Sequence, residues 1–301
     1  MKEQNRITIV SVCDNHYMIM LAALLKSIEI NHNSAEKIDY YLVEDEISGK
    51  NKQKLEESIN NDLISIKWLK MSEITRKELK LPLDYSSFPL NIYIRLFIPY
   101  FIPVHIAKVI YLDVDMIVLE DISKLWNTIL GDKVIAGVVD RSGVISNEWL
   151  GIKNYKELSI SPDAKYYNSG LLLINPELWR ELNITEKILS CIQDNIKFAD
   201  FPDQYGLNVV FADQWMELDP RWNSQAMLAV NNPFIIHFTG RKPIYRSYDY
   251  DLSYKEQFYM YLRQTRWNNY KPLGEYRRLL KKIYNKFEKK NWFNKSIASQ
   301  I

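Results

Sequence analysis

Val109-Ile-Tyr-Leu-Asp113-Val-Asp115-Met-Ile-Val-Leu119 is the stretch from which the architecture of this chain is read. Five of its residues are β-branched and only the two aspartates are charged, the composition of a strand buried in a mostly parallel sheet. Asp113 and Asp115 stand at i and i+2, so an extended backbone projects both from one face. Two like charges side by side in apolar surroundings are costly unless a positive group lies between them. Carboxylate oxygens suit a divalent ion such as Mg²⁺ or Mn²⁺. The plainer alternative is a strand ending in a polar turn with both acids in water. The spacing alone does not separate the two.

Upstream, the pattern alternates between strands at 7–12, 37–43 and 64–69 and helices at 18–30 and 48–59. Such β-α-β-α-β order predicts a parallel, doubly wound α/β sheet with ligands beyond the strand C-termini. No Gly-x-Gly-x-x-Gly follows the first strand, which argues against a dinucleotide fold. Asp14 and Asn15, placed there instead, are, taken alone, more often helix caps than ligands. A turn-rich loop at 81–89 leads into a predicted helix at 90–98. Its one cation, Arg95, needs an anionic partner or a path to water.

Downstream, a helix at 122–130 and a strand at 134–139 are expected, with Asp140 at the strand's C-terminal end. A polar loop runs to Lys165, and a small-residue turn then precedes an apolar strand within 166–175. Pro176 suits the first position of a helix, a further helix spans 184–196, and Pro202-Asp203-Gln204 opens another. Short strands are predicted at 215–218 and 234–238, the second leading into His237-Phe-Thr-Gly240-Arg-Lys242-Pro243. A lone histidine at a strand end is an ordinary structural residue. Here the glycine turn and the lysine behind it are also what a diphosphate needs.

A chain of 301 residues with 47% hydrophobic and 25% charged residues belongs with folded globular proteins, not disordered or membrane-embedded ones. Its two cysteines, Cys13 and Cys191, form neither a disulfide framework nor a zinc spacing, as in a reducing compartment. The N-terminal residues show no apolar segment of signal-peptide or membrane-span length, so the expected location is cytoplasmic. The net charge of +2 hides an asymmetry. Between Arg266 and Lys295 ten Lys/Arg face two Glu, so that segment carries +8 and the remainder −6. Two units are therefore expected: a main domain over 1–245, and a basic, aromatic helical appendage over 246–301. Within the appendage, Arg277, Arg278, Lys281, Lys282, Lys286, Lys289 and Lys290 alternate with apolar residues. That pattern fits an amphipathic helix on an anionic membrane, which would put the protein at the inner face of the plasma membrane.

The order and spacing of these blocks resemble glycosyltransferase family 8, which contains bacterial lipopolysaccharide galactosyl- and glucosyltransferases and glycogenin. The matching blocks run from about Ile7 to Pro243. They include Asp14 and Tyr17, Leu25-Lys-Ser27, Tyr93-Ile-Arg95, Tyr-Leu-Asp113-Val114-Asp115, Asp140, Asn168-Ser-Gly-Leu-Leu-Leu-Ile-Asn, Asp203-Gln204 and His237-Phe-Thr-Gly240. The resemblance implies a GT-A fold, with a Rossmann-like nucleotide-sugar half joined to an acceptor half. It also implies transfer of galactose or glucose from a UDP-sugar, with retention, to a glycan, glycolipid or glycoprotein, as in building bacterial cell-surface polysaccharide. By position Asp113, Asp115 and His237 would hold Mn²⁺, with Mg²⁺ the alternative ion. Val12, Asp14, Tyr17, Arg95, Asp113, Val114, Asn168, Gly240 and Lys242 would bind the donor. Val12 and Asp14 would lie at uracil and ribose, and Gly240 and Lys242 at the diphosphate. Asp140, Asp203 and Gln204 would stand at the transferred sugar, with Gln204 where a nucleophile would otherwise be. Two departures stand out: Arg241 alone separates Gly240 from Lys242, and His16 replaces a small polar residue.

Three other readings compete. A sugar nucleotidyltransferase needs a Gly-rich, basic loop after the first strand, and Cys13-Asp14-Asn15-His16 has neither glycine nor lysine. A catalytically degenerate nucleotide-sugar-binding or scaffold protein would be expected to lack a metal ligand, and all three candidates are present. Nucleic-acid binding by the basic tail has no accompanying motif and meets an acidic body.

Overall fold

The computed structural model describes residues 6–74, 81–82, 88–228 and 230–274, together with 276, 279, 280 and 283. The chain opens with β1 (Arg6–Asp14), α1 (Met18–Asn31), β2 (Lys37–Asp45), α2 (Gly49–Glu56), β3 (Ile64–Lys70) and α3 (Met71–Ile74). A 3₁₀ segment, Leu90–Phe97, leads into α4 (Ile98–Phe101), and β4 (Val109–Leu112), β5 (Met116–Val118) and α5 (Ile122–Trp126) follow. Then come β6 (Ile135–Val144), β7 (Lys165–Ile174), α6 (Pro176–Glu181), α7 (Ile184–Asp194) and α8 (Pro202–Val210). The short strands β8 (Met216–Glu217), β9 (Ser224–Gln225) and β10 (Ile235–His237) precede α9 (Leu252–Leu262).

Seven strands form the main sheet in the order β3-β2-β1-β4-β7-β6-β8, with β7 antiparallel to both its neighbours and the other pairings parallel. The predicted mostly parallel α/β sheet is therefore present. Alternate side chains feed two cores. Ile110 and Leu112 of β4, with Leu171 and Leu173 of β7, pack on the α1 side. Val109 and Tyr111, with Leu172 and Ile174, pack on the other side against α7 and the 3₁₀ segment. This period-2 division explains why these strands read as unbroken apolar runs. The order reverses between β1 and β4, and their C-terminal ends form the crevice where open α/β sheets bind ligands.

The opening stretch differs from its reading as one strand. It breaks into β4 and β5, which belong to different sheets, and β5 joins a small sheet of order β5-β10-β9. The ladder ends where the Asp113 N–H donates to the Gly170 carbonyl at 2.8 Å. A sheet covered on both faces cannot hold two carboxylates, so the chain turns out between the sheets, where they meet partners. The predicted small-residue turn is likewise absent. Asn168-Ser169-Gly170 lies inside β7, where the register against β6 shifts between Ala136 and Val138, and the irregularity re-aims these side chains. The predicted helix at 90–98 is a 3₁₀ helix, ended by a new turn carrying Pro99.

In the segment assigned to the appendage, Tyr254, Phe258, Tyr261, Leu262 and Trp267 are buried in the same core as β1, and α9 packs along α1. The strongly basic positions 277–278, 281–282 and 284–301, and with them every cation of the expected amphipathic helix, lie outside the described residues. Among the described residues no helix is long and apolar enough to cross a membrane.

Candidate active site

A cavity of about 580 Å³ opens at the crevice beyond β1 and β4, and every candidate site residue named above lines it. At its floor the β5–β10 pairing sets His237 opposite Met116, just past the two aspartates. One ligand atom each from Asp113, Asp115 and His237 lies within 4.8 Å of the others. His237 Nε2 is 3.2 Å from Asp115 Oδ1 and 3.9 Å from Asp113 Oδ2.

The other ring nitrogen fixes the histidine's orientation. Nδ1 lies 2.8 Å from Asn223 Oδ1, while Asn223 Nδ2 donates to Asn168 Oδ1 at 3.0 Å. Asn223 thus anchors Nδ1 and orients the ring so that Nε2 faces the carboxylates. Two carboxylates gathered this closely around one imidazole call for a positive charge between or beside them. The Lys242 ammonium supplies one, bonding Asp115 Oδ2 and the Phe238 carbonyl. Burial opposes ionisation of Asp115, but Lys242 and then His237 outweigh it and hold its carboxyl far below the usual range. Two carboxylates and one imidazole that already gather a cation are a donor set that fits a divalent metal, and the mixed O/N character suits Mn²⁺.

Above this cluster, Arg95 is the buried cation that the sequence left without a partner. Its Nη2 reaches Asp113 Oδ1 at 3.0 Å, its Nε reaches Asp203 Oδ2 at 3.1 Å, and Nη1 donates to the Ser169 carbonyl at 2.7 Å. The guanidinium lies 4.6 Å over the Tyr111 ring, whose hydroxyl donates to Asp113 Oδ1 at 2.6 Å. Burial works against the charge of Arg95, yet Asp113, Tyr111 and Asp203 raise its pKa above the ordinary value. Burial also raises the Asp203 carboxyl, with Arg95 opposing.

A carboxamide and carboxylate network continues to the far wall. Asp140 Oδ2 accepts from Asn168 Nδ2 at 2.8 Å, Gln225 Nε2 at 3.3 Å and Gln204 Nε2 at 3.4 Å. Gln204 Oε1 accepts the Ser169 N–H at 3.0 Å, so the amide is held in one orientation. Gly170 is dictated by this crowding: an added Cβ would lie 2.4 Å from His237 Cε1 and 3.0 Å from Asp113 Oδ2.

Toward β1, Asp14 Oδ1 accepts the Tyr17 N–H at 2.9 Å and closes the turn ahead of α1; the N-cap of α1 is Tyr17, with no side-chain cap bond, so the expected capping role is not filled. Asn15 Oδ1 ties this turn to the start of α2 through the Ser48 N–H at 3.0 Å. His16 Nε2 meets the Tyr245 hydroxyl at 2.7 Å. Gly240 has φ +74° beneath Tyr250, while Arg241 pairs with Asp249 and not with the carboxylates. Lys242 is therefore the cation of that turn that stands at the aspartates.

Sequence reasoning missed Asn223 and Gln225, which lie on short segments with no flanking pattern, and only the small sheet brings 223–225 beside His237. Ser169, inside the quoted block of β7, was given no role of its own.

A mostly parallel sheet with an Asp-x-Asp turn at its crevice and an imidazole closing a cation site is the architecture of a GT-A glycosyltransferase. The family model described as Glycosyl transferase family 8 matches residues 8–243, and this chain belongs to that family. It is thus a glycosyltransferase, with a nucleotide-sugar donor and a carbohydrate acceptor. General stress protein A of Bacillus subtilis is 30% identical over 289 residues, covering 89% of this chain and 97% of that protein. Among solved structures, the WbbM bifunctional glycosyltransferase in apo form superposes with a TM-score of 0.73 at 21% identity, over 89% of this chain and 51% of that one. The galactosyltransferase LgtC, solved with donor and acceptor sugar analogues, gives 0.71 at 21% identity, over 86% of this chain and 96% of that one.

Proposed function

We propose that this chain transfers galactose or glucose from a UDP-hexose, with retention of anomeric configuration, to a glycan, glycolipid or glycoprotein acceptor. The observation that carries the reading is the convergence of His237 Nε2 with Asp113 and Asp115 in the crevice beyond β4. Those three residues would hold Mn²⁺, or Mg²⁺ in its place. A divalent ion there would neutralise the charge gathering on the departing diphosphate. Lys242, released from Asp115, would contact the diphosphate from the Gly240 turn, while Val12, Asp14, Tyr17 and Val114 would receive the nucleoside. LgtC, a galactosyltransferase solved with a donor sugar analogue, supports galactose as the first sugar to test.

The sugar would lie among Arg95, Asp140, Asn168, Asp203 and Gln204. Retention needs either a carboxylate nucleophile or transfer on the face the diphosphate leaves. Asp203 is committed to Arg95 and Asp140 to three amides, so neither is a free nucleophile. Front-face transfer follows, in which a leaving diphosphate oxygen takes the acceptor hydroxyl proton and the Gln204 carbonyl stabilises positive charge at the anomeric carbon. Its Oε1 is already held by the Ser169 N–H, so little reorganisation is needed. UDP release measured over a panel of UDP-sugars, with and without Mn²⁺, tests the donor. Gln204→Ala should lower kcat by about 10²-fold with donor affinity nearly unchanged, since the contact strengthens in the transition state. An inverted anomer, or a glycosyl adduct trapped on Asp203 or Asp140, would overturn the front-face route.

The basic tail we assign to the cytoplasmic leaflet, from its alternation of cations and apolar residues alone. Leu273 bridges to Tyr245, so truncation belongs after Gly274 to leave that contact whole. The truncated chain should keep UDP-sugar hydrolysis and lose binding to phosphatidylglycerol vesicles. Failure of the intact chain to bind them at low salt would count against the assignment.

A further inference from the structure

Trp149 is 86% exposed, a large indole left almost bare. It does not hang on a slack loop. Asn147 Oδ1 accepts the N–H groups of Trp149 and Leu150 at 3.0 and 3.1 Å, and the Ile152 N–H returns to the Ile145 carbonyl at 2.8 Å. Ile145 and Ile152 anchor both ends in the core, at 0% and 1% exposure. Gly151 closes the turn so tightly that an added Cβ would lie 2.1 Å from the Ile145 carbonyl oxygen. A fixed turn presenting a bare aromatic face is the arrangement of a stacking platform, because a rigid ring binds at little entropic cost.

What the platform faces is set by its neighbours. Trp149, Leu150, Phe201 and Tyr205 line a shallow recess with Asp200 at its side. Leu150 and Phe201 also line the main cavity, so the recess continues it outward. Phe201 directly precedes Pro202, Asp203 and Gln204, which ties the recess to the sugar end of the cavity and not to the nucleoside end. Asp200 is exposed and paired with Lys153 at 2.6 Å, offering both an acceptor and a donor at the rim. An aromatic face beside a solvated carboxylate–ammonium pair matches a pyranose, whose axial C–H groups form an apolar face and whose hydroxyls form a polar edge. Neither an acyl chain nor a nucleic acid backbone has both.

We infer that Trp149 with Asp200 and Lys153 forms an outer acceptor subsite, which holds the pyranose one unit away from the sugar that receives the transferred hexose. The acceptor is then at least a disaccharide at its growing end. This rests on the reading of the main cavity as the transfer site. It predicts a length preference, which the cavity alone does not.

The test is saturation-transfer NMR on the full chain with lactose, maltose, cellobiose and N,N′-diacetylchitobiose, each beside the methyl glycoside of its non-reducing sugar. At least one disaccharide should bind about tenfold more tightly than its monosaccharide, with strongest saturation at the axial protons of its second ring. Trp149→Ala should remove that advantage, while Trp149→Phe keeps part of it. The exposed position lets both variants fold, and an unchanged Tm confirms it. UDP affinity of the wild-type chain, measured in parallel, judges the donor reading separately. Equal binding of every disaccharide and its monosaccharide would overturn the subsite, as would a preference that survives Trp149→Ala. Phosphatidylglycerol-vesicle binding lost in Trp149→Ala, with no sugar binding, would reassign the indole to a membrane contact and also overturn it.

Discussion

Asp115→Asn is expected to lower turnover by more than the roughly 10–100-fold that loss of an outer-shell partner costs, and to weaken Mn²⁺ binding by at least that factor. The reasoning starts from charge. Asp115 is 13% exposed at its side chain and kept ionised by Lys242 and His237, so it contributes a full negative charge in a nearly dry place. Asparagine keeps the shape and removes that charge, leaving Asp113 as the one carboxylate of the three candidate ligands. Asn223→Ala is the graded control. It leaves all three ligands but frees His237 Nδ1 from its 2.8 Å partner, which should cost about 10–100-fold in metal affinity. Direct titration with Mn²⁺, followed by electron paramagnetic resonance of the free ion, reads affinity apart from activity. Unchanged Mn²⁺ affinity in Asp115→Asn, or full activity in excess EDTA, would remove Asp115 from the metal.

How much of this was legible beforehand differs by distance along the chain. The main sheet was readable because β1, β2 and β3 alternate with α1 and α2 at short range, where period and capping act locally. The Asp113–Asp115 pair was readable because two charges inside an apolar run violate the pattern around them. What could not be read was where that run breaks. β4 pairs with β1 and β7 while β5 pairs with β10, and partners so remote leave no mark on the run itself. For the same reason Asn223 and Gln225 went unnoticed, since polar side chains at the end of a four-residue 3₁₀ turn and on a two-residue strand carry no periodicity. The turn expected at Asn168-Ser169-Gly170 failed in an instructive way. Small residues were needed there for crowding around His237, not for a turn, and composition cannot tell those two demands apart.

Arg95→Met should be the most destabilising single substitution in the site, by about 3–5 kcal/mol at neutral pH, the usual consequence of removing one partner of a buried ion pair. Arg95 is 6% exposed and joins Asp113, Asp203 and the Ser169 carbonyl, so methionine would match its stem while stranding two carboxylates. The sign of the pH dependence follows from Asp203. Burial already raises its folded pKa and Arg95 opposes that rise, so loss of Arg95 lifts it further. An acid whose folded pKa lies above its unfolded one binds more protons in the native state. Its stability is full below the unfolded pKa and falls as pH rises through the folded one. The deficit of Arg95→Met relative to wild type should therefore shrink on acidification toward the carboxylate range and widen at neutral pH. Urea midpoints for both proteins across that range measure it. A deficit independent of pH would mean that Arg95 acts through packing over Tyr111 and not through its charge. The double variant Arg95→Met/Asp203→Asn separates the two further, because neutralising Asp203 should recover part of the lost stability only if the stranded charge is the cause.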